Sequence, residues 1–237
     1  MNSQIKLWPP EETNFNYLLS YPSSGNHWVR FIIEWFSGRP TIGCMEAAGK
    51  DTPICKNSID GNPLSHVDIN LYPIAFKSHE PEKIIDNGKN KLITLVRNYK
   101  ECIASRSDKE SLKSNGLNVK EIDRYIKIIT THQNFRHDKL LIYYEDLIDK
   151  PKKTISDLTK FLNIYSNRDA IIFHKNHDLF CRSSLSAKGR WWKEPTSNRK
   201  QIYHSRILNK SQLIDSDSYI SCRHGSSVSV LERYLEK

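Results

Sequence analysis

The fold is decided by one short stretch, Tyr21-Pro22-Ser23-Ser24-Gly25-Asn26-His27-Trp28. An apolar run at 17–19 precedes it and an amphipathic segment at 29–36 follows it, an order that indicates strand, tight turn and helix. Gly25 can adopt backbone angles that other residues avoid, so the turn can approach a ligand closely. A helix that begins here points N–H groups and the positive end of its dipole at the turn. The stretch predicts an anion-binding loop, although an ordinary strand-to-helix connection fits these eight residues equally well.

Length and composition favour one domain that spans residues 1–237. A chain of 237 residues with 38% hydrophobic residues can bury a substantial core. No apolar run approaches the roughly 18 residues of a membrane span, and the N-terminal segment lacks the apolar core of a signal peptide. Five cysteines are scattered singly, without metal-ligand spacing: Cys44, Cys55, Cys102, Cys181 and Cys222. We therefore expect a cytoplasmic protein without a membrane partner, structural disulfide or metal.

The charge balance indicates an anionic partner. Lysine and arginine number 36 against 27 acidic residues, which gives a net charge of +9. Such a balance suits nucleic acid, an acidic membrane surface or a polyanionic small ligand. The basic residues are spread along the chain, and no signature of a nucleic-acid-binding domain is present. We expect a compact anionic ligand rather than nucleic acid. Helices near the C-terminus can make dimers, but nothing in the sequence demonstrates an oligomer.

Apolar runs alternate with amphipathic segments along most of the chain. The predicted strands are 15–22, 73–81, 91–98 and 139–147, and the predicted helices are 26–37, 99–107, 118–136, 151–161, 201–215 and 228–235. This alternation predicts an α/β fold, with a mostly parallel central sheet flanked by helices on both faces. The three-layer, P-loop-like sheet is followed by a helical and loop-rich C-terminal part.

Two segments lack this periodicity. Residues 41–73 carry three prolines and little sustained hydrophobicity, and we interpret them as the acceptor-binding loop region, with an ordinary surface loop as the alternative. Residues 174–199 interleave basic and aromatic side chains. They suit either a basic lid over an anionic ligand or a stacking surface for single-stranded nucleic acid.

Polar side chains follow two of the predicted strands. Lys77 and His79 end one strand, and Arg97 ends the next, with Ser105 eight residues further on. Because ligands of parallel sheets collect at the carboxyl ends of the strands, these residues are candidates for a site shared with the turn at Gly25. Arg97 and Ser105 can converge on one phosphate, since a guanidinium group binds phosphate oxygens in pairs. A structural histidine and a surface arginine are the alternative interpretations.

Together these segments resemble the sulfotransferase family, which moves a sulfuryl group from 3′-phosphoadenosine 5′-phosphosulfate (PAPS) to an acceptor. The family's loop is similar to YPKSGTTW, where this chain has YPSSGNHW at 21–28, and its KTHLP segment is similar to KSHEP at 77–81. Its arginine and serine, eight residues apart, match Arg97 and Ser105. Its YEDL segment stands at 144–147. The resemblance covers roughly residues 15–162, with all four segments in the same order.

The resemblance implies a role for each matching residue. The implied donor-binding residues are Ser23, Ser24, Gly25, Asn26 and His27 at the 5′-phosphosulfate, Trp28 and Tyr144 at adenine, Arg97 and Ser105 at the 3′-phosphate, and Lys188 and Gly189 in the lid. Through the match of KSHEP to KTHLP, the resemblance implies that His79 is the general base. A neutral imidazole suits removal of a hydroxyl proton. Lys77 would stabilise charge on the transferred group.

The chain departs from the family's pattern at two places. The family usually carries lysine or arginine at the position of Ser23, and loss of such a contact can raise the barrier by about 2.7–4 kcal/mol. Our hypothesis is that Lys77 compensates. The second departure is in the basic segment, where Gly189 matches either of two family glycines. Lys188 and Gly189 are therefore better supported there than Arg182 and Arg190.

The resemblance implies a single-domain, PAPS-dependent enzyme that needs no metal. In-line transfer to a hydroxyl or amine of a small-molecule acceptor would release adenosine 3′,5′-bisphosphate (PAP). Two alternatives stay open. A nucleotide kinase-like P-loop enzyme is disfavoured because the Walker lysine is missing. A non-catalytic protein that binds PAP or nucleic acid is kept open by Ser23 and the basic segment.

Overall fold

A five-stranded parallel sheet organises the protein. The computed structural model describes residues 14–43, 64–166 and 208–235, without the side chains of 224–228. The strands are β1 (Asn16–Ser20), β2 (Thr41–Ile42), β3 (Ala75–Ser78), β4 (Lys91–Val96) and β5 (Lys139–Tyr143). They pair in the order β2-β3-β1-β4-β5, and every pair is parallel. The predicted α/β class with a parallel central sheet is confirmed.

Helices cover both faces of this sheet. They are α1 (Asn26–Ser37), α2 (Tyr99–Ala104), α3 (Lys109–Asn115), α4 (Val119–Asn134), α5 (Tyr144–Asp149), α6 (Pro151–Phe161) and α7 (Lys210–His224), with 3₁₀ helices at Pro81–Lys83 and Gly225–Tyr234. Apolar side chains of α1, α5 and α6 share one core cluster, and those of α2, α3, α4 and α7 share the other. The result is a three-layer arrangement.

The central strand β1 is buried on both faces. Leu18 packs into the core cluster on the α1 side, whereas Tyr17 and Leu19 pack into the cluster on the α4 side. Side chains of a strand alternate between faces, so a strand covered on both sides must be apolar at consecutive positions. This burial explains the continuous apolar run in front of the loop.

The strand order creates a crevice at the carboxyl end of β1. From β1 the chain moves through β2 to β3 on one side, and then crosses to β4 on the other side. Such a reversal separates the loops that leave neighbouring strands, and ligands of open α/β sheets bind there. The loops after β1, β3 and β4 carry Ser23, His79 and Arg97 to this edge.

Several predicted boundaries were wrong. Residues 41–42, expected to be irregular, form β2, and the strand expected to run to 147 ends at Tyr143, where α5 begins. The predicted C-terminal helix 201–215 is seen as α7, which begins at Lys210 and continues to His224, while residues 201–207 lie outside the described residues. The segment expected to form a helix at 228–235 is part of a 3₁₀ helix.

Buried polar contacts from α1 hold β2 in the sheet. The Nε of Arg30 donates to the Thr41 hydroxyl at 2.8 Å, and this hydroxyl donates to Glu34 Oε1 at 2.5 Å. All three side chains are buried. Arg30 and Glu34 lie one helical turn apart on the same face of α1, so both reach the same strand residue. A strand of two residues is therefore fixed by tertiary contacts and not by its own propensity.

We expect Thr41→Val, which nearly keeps the shape of the side chain, to destabilise the fold by about 2–4 kcal/mol, because it removes the hydroxyl that hydrogen-bonds two buried charged groups, Arg30 and Glu34. The hydrogen bonds of these groups to the Thr41 backbone stay in place. Urea unfolding followed by circular dichroism measures the change. Thr131→Val is the control, since the Thr131 hydroxyl donates to a carbonyl of its own helix. Equal midpoints for the two variants would contradict this account of β2.

Candidate active site

The loop between β1 and α1 has the backbone of an anion cradle. Ser23 and Gly25 both have left-handed φ angles, 69° and 91° respectively. Helix α1 begins directly after Gly25, and its first turn carries no acidic residue. The N–H groups of a first helical turn point along the axis towards the loop, where the helix dipole favours negative charge. This geometry can hold a phosphate or sulfate group.

Gly25 is required because an aromatic ring covers it. A Cβ at this position would lie 2.5 Å from Cδ2 of Tyr144 and 2.7 Å from its Cε2. Tyr144 begins α5 at the carboxyl end of β5, which brings its ring over the loop. Trp28 meets the same ring at an angle, with 5.7 Å between the ring centroids. The structure thus brings the two predicted adenine-binding side chains together beside the predicted phosphosulfate loop.

Arg97 connects the end of β4 to this loop. Its Nη1 donates to the carbonyl of Ser23 at 3.0 Å, and its Cζ lies 4.6 Å from the ring centroid of Tyr144. The backbone of Arg97 is fixed by α4, because its carbonyl accepts a hydrogen bond from the Tyr125 hydroxyl. The guanidinium group therefore lies over the aromatic ring and beside the loop.

Helix α2 contacts two further residues that were predicted to bind the nucleotide, Ser105 and Ser24. Ser105 caps the C-terminus of α2, and its hydroxyl donates to the carbonyl of Cys102 at 2.8 Å. The Sγ of Cys102 lies 3.5 Å from the hydroxyl of Ser24. Burial raises the pKa of the Cys102 thiol to about 12, which keeps it protonated and unreactive. One short helix thus contacts the loop at Ser24 and carries Ser105.

His79 follows β3 with a defined tautomer. Its Nδ1 lies 2.5 Å from the carbonyl oxygen of Ser20, and because a carbonyl can only accept, Nδ1 carries the proton. The neutral ring then has its lone pair on Nε2. Asn26 supports this contact, since its Nδ2 donates to the Ser20 hydroxyl at 2.9 Å. The first residue of α1 and the predicted base therefore meet at the end of β1.

Burial and a neighbouring cation keep His79 neutral. Burial is the main cause that lowers its pKa to about 4, and the positive charge of Lys77 adds to the effect. The hydrogen bond to the Ser20 carbonyl acts in the opposite direction. Lys77 lies in β3 with only 6% of its surface exposed, opposite Leu18 of β1. An imidazole with this pKa is unprotonated at neutral pH, so its Nε2 can accept a proton.

Two cavities lie along α4, and His79 lines one of them. One of about 460 Å³ is lined by His79, by the 3₁₀ turn at Pro81–Lys83 and by polar side chains of α4. The other, of about 600 Å³, lies between α2, α3 and the start of α4. The Tyr21 hydroxyl donates to Glu121, which lines the second cavity. The 3.6-residue period of α4 predicted its buried face, whereas its contribution to a cavity depends on tertiary packing.

The described residues leave part of the predicted site out. Lys188 and Gly189, the weaker candidates Arg182 and Arg190, and the whole of 174–199 lie outside them, as do residues 44–63 of the predicted acceptor region. Within the described ranges, no group of histidine, cysteine, aspartate and glutamate side chains is arranged to hold a metal ion. No helix of the same ranges is long and apolar enough to cross a membrane.

The sheet order, the loop and the flanking helices define a sulfotransferase-like fold. The structure is similar to the crystal structure of mouse sulfotransferase SULT7A1 complexed with PAP, with a TM-score of 0.58. The similarity covers 94% of this chain and 88% of that chain, at 19% sequence identity. At this identity the likeness shows the fold alone.

A sequence relative provides a second comparison. A WSCD family member from Aedes aegypti is 26% identical over an alignment of 176 residues, and the match covers 65% of this chain and 52% of the relative. The chain thus spans about half the length of the curated relative it matches. No protein-family model matches the chain.

The pKa of His79 can be measured directly. We expect its imidazole C–H resonances to titrate with a midpoint near pH 4, against the ordinary value of 6.5. Between these two values the unfolded chain binds a proton that the folded protein does not, so the contribution of His79 to the free energy of unfolding decreases as the pH falls. Proton NMR with His79→Gln for assignment makes the measurement. A midpoint near 6.5 would contradict a buried His79 ring close to the positive charge of Lys77.

Proposed function

We propose that the protein is a PAPS-dependent sulfotransferase that acts on a hydroxyl or amine of a small-molecule acceptor. The observation that carries the proposal is the position of His79. Its Nδ1 is bound to the Ser20 carbonyl at the end of β1, directly before the anion-binding loop. A neutral base beside an anion cradle suits proton removal during transfer of an anionic group.

The residues around the loop fit the donor. The backbone of 23–27 would hold the 5′-phosphosulfate, and Arg97 with Ser105 would hold the 3′-phosphate. Trp28 and Tyr144 form an aromatic surface for adenine, and any side chain at position 25 would fill the space that Tyr144 occupies. When bound, PAPS supplies the sulfuryl group and leaves as PAP. Lys188 and Gly189 belong to this proposal through the family resemblance.

His79 and Lys77 would perform the chemistry on the protein side. The Nε2 of His79 accepts the acceptor's proton, and the acceptor enters through the cavity between the turn at Pro81–Lys83 and α4. Lys77 provides the positive charge that Ser23 lacks, because its charge already acts on His79. Arg97 brings a second cation to the loop through its contact with the Ser23 carbonyl. Fixed cations in a water-poor site stabilise developing negative charge.

The donor assignment is tested by thermal shift with PAP, ADP and ATP. At 100 times its Kd a ligand of the native state adds about 2.7 kcal/mol, which corresponds to roughly 5–10 °C for a domain of this size. We expect that shift with PAP and a much smaller one with ADP, and we expect Arg97→Gln to abolish the difference. Equal shifts with all three nucleotides would contradict a 3′-phosphate site.

The catalytic roles are tested by release of PAP from PAPS in the presence of a mixed panel of small hydroxyl and amine compounds. We expect His79→Ala to lower the rate by about 10²- to 10⁴-fold, because the general base is lost. Lys77→Met should lower it by roughly 10²- to 10³-fold while PAP affinity is kept. Lys153→Met, which removes an exposed lysine paired with Asp157, is the control. An unchanged rate in Lys77→Met would reject the compensation for Ser23.

A further inference from the structure

One carboxylate connects the predicted nucleotide site to the C-terminal 3₁₀ helix, Gly225–Tyr234, which we call the C-terminal segment. Glu145 directly follows Tyr144, the residue whose ring covers the loop. Its Oε1 accepts a hydrogen bond from the backbone N–H of Asn98 at 3.2 Å. Its Oε2 accepts one from the hydroxyl of Tyr234 at 2.5 Å. Because Asn98 directly follows Arg97, the carboxylate of Glu145 lies between the C-terminal 3₁₀ helix and the backbone that presents the arginine.

Other contacts hold the C-terminal segment against helices α2 and α5. The backbone carbonyl of Tyr234 accepts a hydrogen bond from Nζ of Lys100, which forms a buried ion pair with Asp217 of α7 at 2.8 Å. The guanidinium of Arg233 lies 3.5 Å from Asp146 and 4.4 Å from the ring centroid of Tyr143. The segment is thus fixed to α2, which follows Arg97, and to α5, which carries Tyr144.

The hydroxyl of Tyr234 stays protonated and can therefore always donate a hydrogen bond to Glu145. The Tyr234 side chain is buried, and both burial and the nearby Glu145 carboxylate raise its pKa far above the ordinary value for tyrosine. The group therefore keeps its proton throughout the physiological pH range. A neutral donor to a carboxylate forms one of the stronger hydrogen bonds in proteins, and it fixes the rotamer of the acceptor.

We propose that Tyr234 and Glu145 are positioning residues for the 3′-phosphate site, so that docking of the C-terminal segment sets the affinity for the nucleotide; this inference rests on the proposed function. Tyr234 fixes the rotamer of Glu145, and Glu145 fixes the Asn98 N–H and the start of α5. These two points hold the backbone of Arg97 and the ring of Tyr144 on which its guanidinium lies. Without the Tyr234 hydroxyl the Glu145 carboxylate can rotate away from the Asn98 N–H. The backbone of Arg97 and the ring of Tyr144 are then held less firmly.

Calorimetric titration of the full chain with PAP and with ADP tests the inference. We expect Tyr234→Phe to raise the Kd for PAP by about 5- to 10-fold, a part of the value of one hydrogen bond to a charged group. The Kd for ADP, which shares the adenine but lacks the 3′-phosphate, should rise by a clearly smaller factor. Tyr219→Phe is the matched control, because it removes a tyrosine hydroxyl of the preceding helix α7 that donates to Asp123 and not to Glu145. This control should keep the wild-type affinity for PAP.

A double-mutant cycle separates positioning from general loosening. If the Tyr234–Glu145 contact carries the effect, Tyr234→Phe should have little further effect on PAP binding in a Glu145→Gln background. Equal losses for PAP and ADP would indicate general destabilisation and overturn the inference. An unchanged Kd for PAP in Tyr234→Phe would also overturn it, while wild-type preference for PAP over ADP would still support the proposed function. A wild type without that preference would reject both.

Discussion

The site depends on the contact of the Tyr144 ring with Gly25, under the guanidinium of Arg97. Three strands meet in this contact, because Gly25 follows β1, Arg97 follows β4 and Tyr144 follows β5. The absence of a side chain at Gly25 lets the ring lie on the loop, and the ring in turn supports Arg97. A cation beside a left-handed turn and a helix N-terminus makes a site for a large anion. Any residue other than glycine at 25 would separate these parts.

The state of His79, which follows the neighbouring strand β3, also depends on contacts between strands. His79 lies against the Ser20 carbonyl and near Lys77, so its environment keeps the ring neutral and leaves the lone pair on Nε2. The proposed anion cradle and the neutral imidazole of His79 are therefore held one strand apart by the backbone of the sheet. Precise placement of this kind needs rigid elements, and a strand buried on both faces provides one.

Sequence patterns predicted best those features that depend on local chemistry. Helix α1 begins and ends as predicted because Gly25 and Gly38 both take left-handed angles at its termini, and Pro151 marks the start of α6 correctly. The strand β2 was missed, since two residues carry no periodicity and Thr41 is held by Arg30 and Glu34 of α1. The strand β5 was predicted too long, because acidic residues after Tyr144 favour a helix start.

The motifs identified the residues at the carboxyl edge of the sheet. The contacts of Glu145 and the cavity beside α4 depend on packing between distant segments, which the motifs do not encode.

A crystal structure of the protein soaked with PAP would show whether the loop after β1, Arg97 and Tyr144 bind the nucleotide together. We expect the 5′-phosphate on the backbone amides that follow Ser23, the adenine against the surface that Trp28 and Tyr144 form, and the 3′-phosphate within hydrogen-bond distance of Arg97. In such a complex the guanidinium would turn from the Ser23 carbonyl to the phosphate. A nucleotide bound elsewhere, or a 3′-phosphate that points into solvent away from Arg97, would contradict this arrangement.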